Sequence, residues 1–306
     1  MPTESAPPGG VSVVVATRNR KKRLLESLDH LMAARPPEVV VVDNGSTDGT
    51  ADAVRRTFPQ ARVLRLHRNC GSAARTVGVR AARHGIVAFS DDDSWWAAGA
   101  LDRAAQHFAN HPRLGLVAAR VLVGSDGHPD PVSTQMAHSP LPRRTRLPGP
   151  SVLGFVACGA VVRRTAYLES GGFSELLFFI GEERMLALDL ATAGWDLVYA
   201  ADVVAHHHPD PRGDDLGRRA LAARNDLLTL WLRRRLGRAV GATAALAARA
   251  PMDPVARRAL AEILPRLPRA LVSRRLIPDQ VERAMRLVEA QNTRRYQAQP
   301  RQMSGG

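Results

Sequence analysis

Two cysteines, Cys70 and Cys158, are all that the 306 residues hold. That scarcity excludes a disulfide framework and a cysteine-built metal cluster, and it makes a reducing, cytoplasmic compartment the expectation. The opening residues, MPTESAPPGG, lack both a basic start and an apolar core, so no secretory signal is read there and residues 1–10 are expected to be a disordered tail. No uncharged run approaches the roughly 18 apolar residues of a membrane span. A Gly-rich phosphate turn is missing too: ATRNRKK, after the first apolar run, is neither a dinucleotide fingerprint nor a P-loop, which argues against dehydrogenase and ATPase chemistry. Acidic residues run short in one region only. Residues 209–306 carry 20 Lys/Arg against 9 Asp/Glu, an excess of +11, whereas residues 1–208 carry 23 against 20. A nearly balanced body is thus followed by a basic tail. No aromatic platform or reader motif accompanies that charge, so nucleic acid is not expected as a partner.

What is present is an alternation. VSVVVA (11–16) reads as a buried strand, and Leu24, Leu25, Leu28 and Leu31 follow at helix spacing. The plan repeats with Val39–Val42 and a helix over Ala51–Phe58, then with ARVLRLHRN, a helix within GSAARTVGVRAARHG, and the strand IVAFS. Continuous apolar strands between amphipathic helices predict an α/β fold with a mainly parallel sheet covered on both faces. Ligands bind such sheets at the carboxyl ends of the strands. The polar clusters Thr17–Arg20, Asp43–Asp48, Asn69–Gly71 and Asp91–Asp93 all fall at those ends.

The aspartate triplet Asp91, Asp92 and Asp93 is the sharpest of these. Three adjacent carboxylates at a strand end repel one another unless water or a cation accompanies them. A turn or helix start would use aspartates there as well. A divalent cation bridging carboxylate and phosphates would account for the triplet beside a nucleotide-sized crevice. Further on, Glu182 and Glu183 are adjacent acids before an apolar helix. Mutual repulsion and partial burial can raise such a pair toward the range of a general base, although a helix N-terminus also favours acids for its dipole.

In their order and spacing, VVVATRNR, VVVDNGSTDGT, RNCGSAARTVGVR, FSDDDS, GEER and GWDLVYAADVVAHHH resemble the family 2 glycosyltransferases of the GT-A fold. The match spans residues 11–208 and implies an inverting, metal-dependent enzyme that moves a sugar from a UDP- or dTDP-sugar to a carbohydrate, lipid-linked or small-molecule acceptor. The resemblance implies that Thr17 and Arg18 wall the base and ribose site and that Asp43 accepts from the base imide. Asn69, Gly71 and Arg75 would border base and diphosphate. Asp91 would touch the ribose, with Asp92 flanking, while Asp93 and His206 would hold Mg²⁺ or Mn²⁺. His207 and His208 stand beside His206, and sequence does not separate the three. Glu183 is by position the candidate base and Glu182 the second. Thr76 and Leu188 depart from the usual family pattern. A non-catalytic nucleotide-sugar-binding protein would lack one of Asp93, Glu183 or His206, and none is missing.

Between nucleotide-binding (11–122) and acceptor (151–208) halves, residues 123–151 are rich in Pro, Gly and Arg without periodicity, and are expected to be an acceptor lid. Trp95 and Trp96 suit either a sugar subsite or buried packing. The tail, 209–306, is expected to be mostly helical. Leu227, Leu228, Trp231 and Leu232 beside Arg233–Arg235 suit an amphipathic helix on an anionic membrane, or a cap on the catalytic body.

Overall fold

The computed structural model describes residues 10–210 and 215–298. Most of the tail expected over residues 1–10 lies outside the described residues. The first half follows the alternation: β1 (Val11–Thr17), α1 (Lys21–Ala33), β2 (Glu38–Asp43), α2 (Thr50–Thr57), β3 (Arg62–Arg65), α3 (Ala74–Ala81) and β4 (Ile86–Ser90). β3, β2, β1 and β4 lie side by side and parallel. Their valines fill both faces because helices cover both. Leu24, Leu28 and Leu31 of α1 bury one face against the sheet, each worth about 2 kcal/mol. On the other face α3 comes close enough that a Cβ at Gly78 would stand 2.4 Å from Val14 Cγ1.

A short β5 (Ser94–Trp96) and α4 (Ala100–Asn110) follow, then β6 (Leu114–Val123), β7 (His128–Pro129) and α5 (Pro131–Ala137). Next come β8 (Ala160–Arg163), α6 (Arg164–Glu169), α7 (Glu182–Thr192) and β9 (Asp196–His207). β8 runs antiparallel between β4 and β6, β9 is parallel to β6, and β5 pairs antiparallel with β9. The sheet is therefore mixed and mostly parallel on its nucleotide side.

Residues 123–151 depart from the structureless lid expected. Asp130 caps α5 by accepting from Val132 N at 2.7 Å, and Pro131 sits at the first helical position. Ser133 Oγ accepts from Val121 N and Met136 is buried, so the segment is pinned to β6. The Asp-Pro signal was legible; the helix is only seven residues long, too short for periodicity to reveal it.

The tail forms α8 (Leu216–Arg233), α9 (Leu236–Arg249), α10 (Pro254–Ile263), α11 (Leu267–Val272) and α12 (Asp279–Ala298). Its amphipathic face turns inward. Leu227, Leu228 and Leu232 join Leu177 and Met185 in one apolar cluster, and Ile277, Val281 and Met285 pack on Leu188 and Leu153 in another. Two of the arginines expected to face a membrane are buried. Arg233 pairs with Asp189 of α7, and Arg234, 2% exposed, pairs with Glu282 and Glu289 of α12. A guanidinium so enclosed needs carboxylate partners, and α7 and α12 bring them. Among the described residues no helix is long and apolar enough to cross a membrane.

Candidate active site

The carboxyl ends of β1, β2 and β4 meet in one polar crevice. Asn44 N donates to Thr17 O, and Thr47 N to Asn19 Oδ1 at 2.8 Å, which ties the β1 and β2 loops together. Asp43 is buried; its Oδ1 accepts from Ser46 N at 2.9 Å, while its Oδ2 lies 4.0 Å from Arg65. The turn reading and the base-binding reading of Asp43 thus use different oxygens. Asn44 Oδ1 accepts from Cys70 N, and Asn69 Oδ1 from Gly71 N, shaping the next loop. Gly71 has φ +59°, and a Cβ there would strike Phe178 O at 2.0 Å, so only glycine fits. Arg18 is exposed.

The triplet divides its partners. Asp91 is gripped by the buried guanidinium of Arg75. Asp92 accepts from Thr17 Oγ1 at 3.0 Å and meets Arg20 Nε at 3.2 Å. Its carboxyl is pushed up to about 6 by burial, with Asp91 and Asp93 adding and Arg20 opposing. Asp93 lies 3.4 Å from Arg20 Nη2 and 3.4 Å from His207 Nε2. His207 is held above the usual imidazole range, since Asp93 outweighs the effect of burial.

That contact sets His207, and not the expected His206, beside the triplet. Side chains alternate along β9, so His206 and His208 share one face and His207 takes the other. His206 lies opposite Trp95 in the strand register, and the Trp95 ring stacks on His30 at 4.2 Å and packs near His206 and His208. Burial and His30 hold His206 below its ordinary value. Trp95 is thereby occupied by histidines, and Trp96 is buried in the core beneath the sheet.

Across Arg75 stand the two glutamates. Arg75 Nη1 is 4.0 Å from Glu182 Oε1, and its guanidinium faces the Phe173 ring at 5.7 Å. Burial disfavours the Arg75 charge, but Asp91, Glu182 and Glu183 outweigh it and raise its pKa. Glu182 is buried, and its Oε2 has no hydrogen-bond partner among the described residues. Its carboxyl is pushed up to about 8, by burial first and then by Glu183. Glu183 is also raised by burial. It lines a cavity of about 450 Å³ between α5, α7 and α12, with Gln135, Met136, Phe155, Arg184 and Met285 among the walls.

The strand-end carboxylate triplet is thus joined through one buried arginine to a raised acid pair. The family model for glycosyl transferase family 2 matches residues 12–171, just over half of the chain. The chain belongs to that family. This glycosyltransferase is 29% identical over 239 residues, 67% of its length and 77% of the relative's, to an N-acetylglucosaminyl-diphospho-decaprenol L-rhamnosyltransferase of Mycobacterium tuberculosis. A putative teichuronic acid biosynthesis glycosyltransferase of Bacillus subtilis, TuaG, is 26% identical over 39% of this chain and 50% of its own. Among solved structures, the mannosyltransferase PcManGT of Pyrobaculum calidifontis, in complex with GDP-Man and Mn²⁺, superimposes with a TM-score of 0.57 at 24% identity, covering 95% of this chain and 79% of that one. GalNAc-T7 with UDP, GalNAc and Mn²⁺ gives 0.56 at 15% identity, over 72% and 47%. These neighbours share the GT-A fold.

Three residues of the glycosyltransferase site escape sequence reasoning. Arg20 bridges Asp92, Asp93 and Asp210, a role that needs the β9 end folded back on β1. His207 is chosen by strand parity. Asn225 of α8 is the third: its Nδ2 lies 3.0, 2.7 and 2.6 Å from the carbonyls of Leu177, Phe179 and Ile180. Those carbonyls belong to a strained loop, with Phe178 at φ +67° and Ile180 at +71°, that leads into Glu182. Phe178 O in turn accepts from Ser72 N at 2.6 Å. The loop therefore joins the donor-side turn to the acid pair, and the tail clamps it. The two departures from the family pattern also find partners: Thr76 bonds Tyr167 at 2.8 Å, and Leu188 packs under α12.

Proposed function

We propose that this glycosyltransferase transfers a sugar, with inversion, from a UDP- or dTDP-sugar to an acceptor hydroxyl with Mg²⁺ or Mn²⁺ as cofactor. The observation that carries the reading is Arg75, buried between Asp91 on the donor side and Glu182 on the acceptor side. Thr17, Arg18, Asp43, Asn69 and Gly71 bind and orient the nucleotide, and Oδ2 of Asp43, which meets Arg65 only at 4.0 Å, suits the imide N–H of uracil or thymine.

The residues fit a divalent cation. Asp93 Oδ1 and His207 Nε2 are one carboxylate and one imidazole, 3.4 Å apart, a separation that neighbouring ligands of one ion adopt. Among the described residues no ready-made cluster of three or more acid, His or Cys ligands exists. Two protein ligands suit an ion that is otherwise bound through substrate phosphates and water. When bound, the ion supplies positive charge against the diphosphate as it leaves. Glu183 takes the proton of the acceptor hydroxyl, whose oxygen bonds to the anomeric carbon as the bond to the diphosphate breaks. Arg75 holds Asp91 and offers positive charge beside the leaving group. One displacement inverts the anomeric centre.

The cavity lined by Glu183 is the acceptor site, and its mixture of Met136, Phe155 and Met285 with Gln135 suits the apolar face and hydroxyls of a sugar. The M. tuberculosis relative, named for a rhamnosyl donor and a lipid diphosphate acceptor, supports a deoxyhexosyl donor and a lipid-linked acceptor. A UDP- or dTDP-sugar should raise the melting temperature only with Mn²⁺ or Mg²⁺ present. His207→Ala should remove that dependence and His206→Ala retain it. Equal stabilisation of the wild type in EDTA would dismiss the metal role of Asp93 and His207.

A further inference from the structure

Sixteen consecutive residues of the tail, 263–278, contain four arginines and no acid. They cover the end of α10, a 3₁₀ turn over Leu264–Arg266, α11 and the connection to α12. Unlike the buried Arg224 and Arg233 of α8, most of this segment faces outward; Arg274 alone of its four arginines turns inward, to Trp231 O and Arg234 O. Leu264 is 63% exposed, Leu271 49%, Val272 90% and Leu276 57%. Arg266 and Arg269 line a cavity of about 520 Å³ together with Phe178, itself 39% exposed. Arg269 and Arg275 line a second, with Val272. Among the described residues Glu175, exposed and 3.8 Å from Arg269, borders both, and Asp189, paired with Arg233, borders the second.

From this we infer that the face formed by residues 264–276 and Phe178 docks on an anionic lipid bilayer. Exposed aliphatic side chains among arginines match a surface that is apolar below and negatively charged above. A second copy of the chain fits less well. A two-fold contact through this face would set the same arginines against one another. Two prolines, Pro265 and Pro268, stiffen the segment, so the leucines and Val272 are presented without much further ordering. Docking there would set Phe178, and with it the loop that precedes Glu182, against the bilayer, where a lipid-borne acceptor is delivered. The inference rests on the tail's own surface; only its connection to the acceptor rests on the transfer proposed above.

The test is sedimentation of the full-length protein, without nucleotide sugar, with vesicles of phosphatidylglycerol and phosphatidylcholine or of phosphatidylcholine alone. The wild type should sediment with the anionic vesicles only. Release should follow in 1 M salt, where the screening length falls to about 3 Å. Changing Arg266, Arg269 and Arg275 together to Gln should lower partitioning about a hundredfold, whereas the same residues changed to Lys should keep it. Val272→Ser with Leu276→Ser should weaken binding to anionic vesicles, and Arg35, Arg55 and Arg56 changed to Gln, the same charge loss elsewhere, should leave it near wild type. Absence of sedimentation, equal sedimentation with neutral vesicles, or equal loss in the two Gln triples would overturn the inference. So would a lipid-free dimer in ultracentrifugation that Val272→Ser with Leu276→Ser dissociates. Vesicle binding is read without turnover, so its failure leaves the transfer reaction standing, and inactivity on nucleotide sugars leaves the docking face standing.

Discussion

At Glu182 and Glu183, α7 turns adjacent carboxyls to different surroundings. Glu183 lines the cavity proposed for the acceptor, so Glu183→Gln should keep donor affinity, read by thermal shift, and lower turnover about a hundredfold or more. Glu182 is enclosed beside Arg75, and its raised pKa has a consequence for stability. The folded protein holds this proton up to about pH 8, while the unfolded chain releases it near the ordinary value of 4.5. Stability from this group is present below that ordinary value and is lost as pH rises through the folded one. With each pKa unit worth about 1.4 kcal/mol, Glu182→Gln should raise the melting temperature by several degrees at pH 9 relative to wild type, and change it little at pH 4. Thermal unfolding across that range checks the sign. A wild-type profile that runs parallel to that of Glu182→Gln from pH 5 to 9, or rises above it, would contradict it.

The loop between Leu177 and Gly181 shows how one element organises another. Two non-glycine residues at positive φ are costly, and the strain is offset by Ser72 N on one side and by Asn225 on the other. Asn225→Ala removes the side-chain donor of Phe179 O and Ile180 O, while Leu177 O keeps Arg224 Nη2 and Phe179 N, and should cost about 1–3 kcal/mol in denaturant unfolding. The variant should also lose kcat out of proportion to donor affinity, because the loop sets the acid pair and not the nucleotide. Equal losses in kcat and donor binding would show a general loosening instead. GEER marks the helix that follows, but the strained loop before it was illegible in sequence. Phe178 and Ile180 carry no turn signature, and the conformation is imposed by α8, some 45 residues later in the chain.

For the whole molecule, the basic tail is a structural layer with a charged outer edge. Its arginines sort into buried partners of carboxylates and exposed ones, a distinction charge counting cannot make. Arg234→Gln removes the most buried guanidinium from a network in which Arg238 and Arg286 still meet Glu282 and Arg238 still meets Glu289, and should destabilise the protein by about 1.5–3 kcal/mol. Arg235, whose pair with Asp279 is exposed on both sides, should cost under about 1 kcal/mol when changed to Gln. Chemical denaturation of the two variants separates a packed tail from a solvated one; similar midpoints would contradict the packing seen here.

Sequence alone determined the strand–helix alternation of the nucleotide half and its mainly parallel sheet, because apolar valine-rich strands between amphipathic helices must be covered on both faces, and it placed the polar loops at the strand ends; the strand order came from the structure. It also determined the family, through motifs whose residues are close in the chain. Tertiary structure decided what depends on distant segments meeting. The parity of β9 turned His207, and not His206, toward Asp93, since register against β5 and β6 fixes which face each residue takes. The packing of α8 and α12 on α7 drew Arg233 and Arg234 inward to carboxylates about 45 residues away in sequence, which left the acid-free run at 263–278 as the outward basic face.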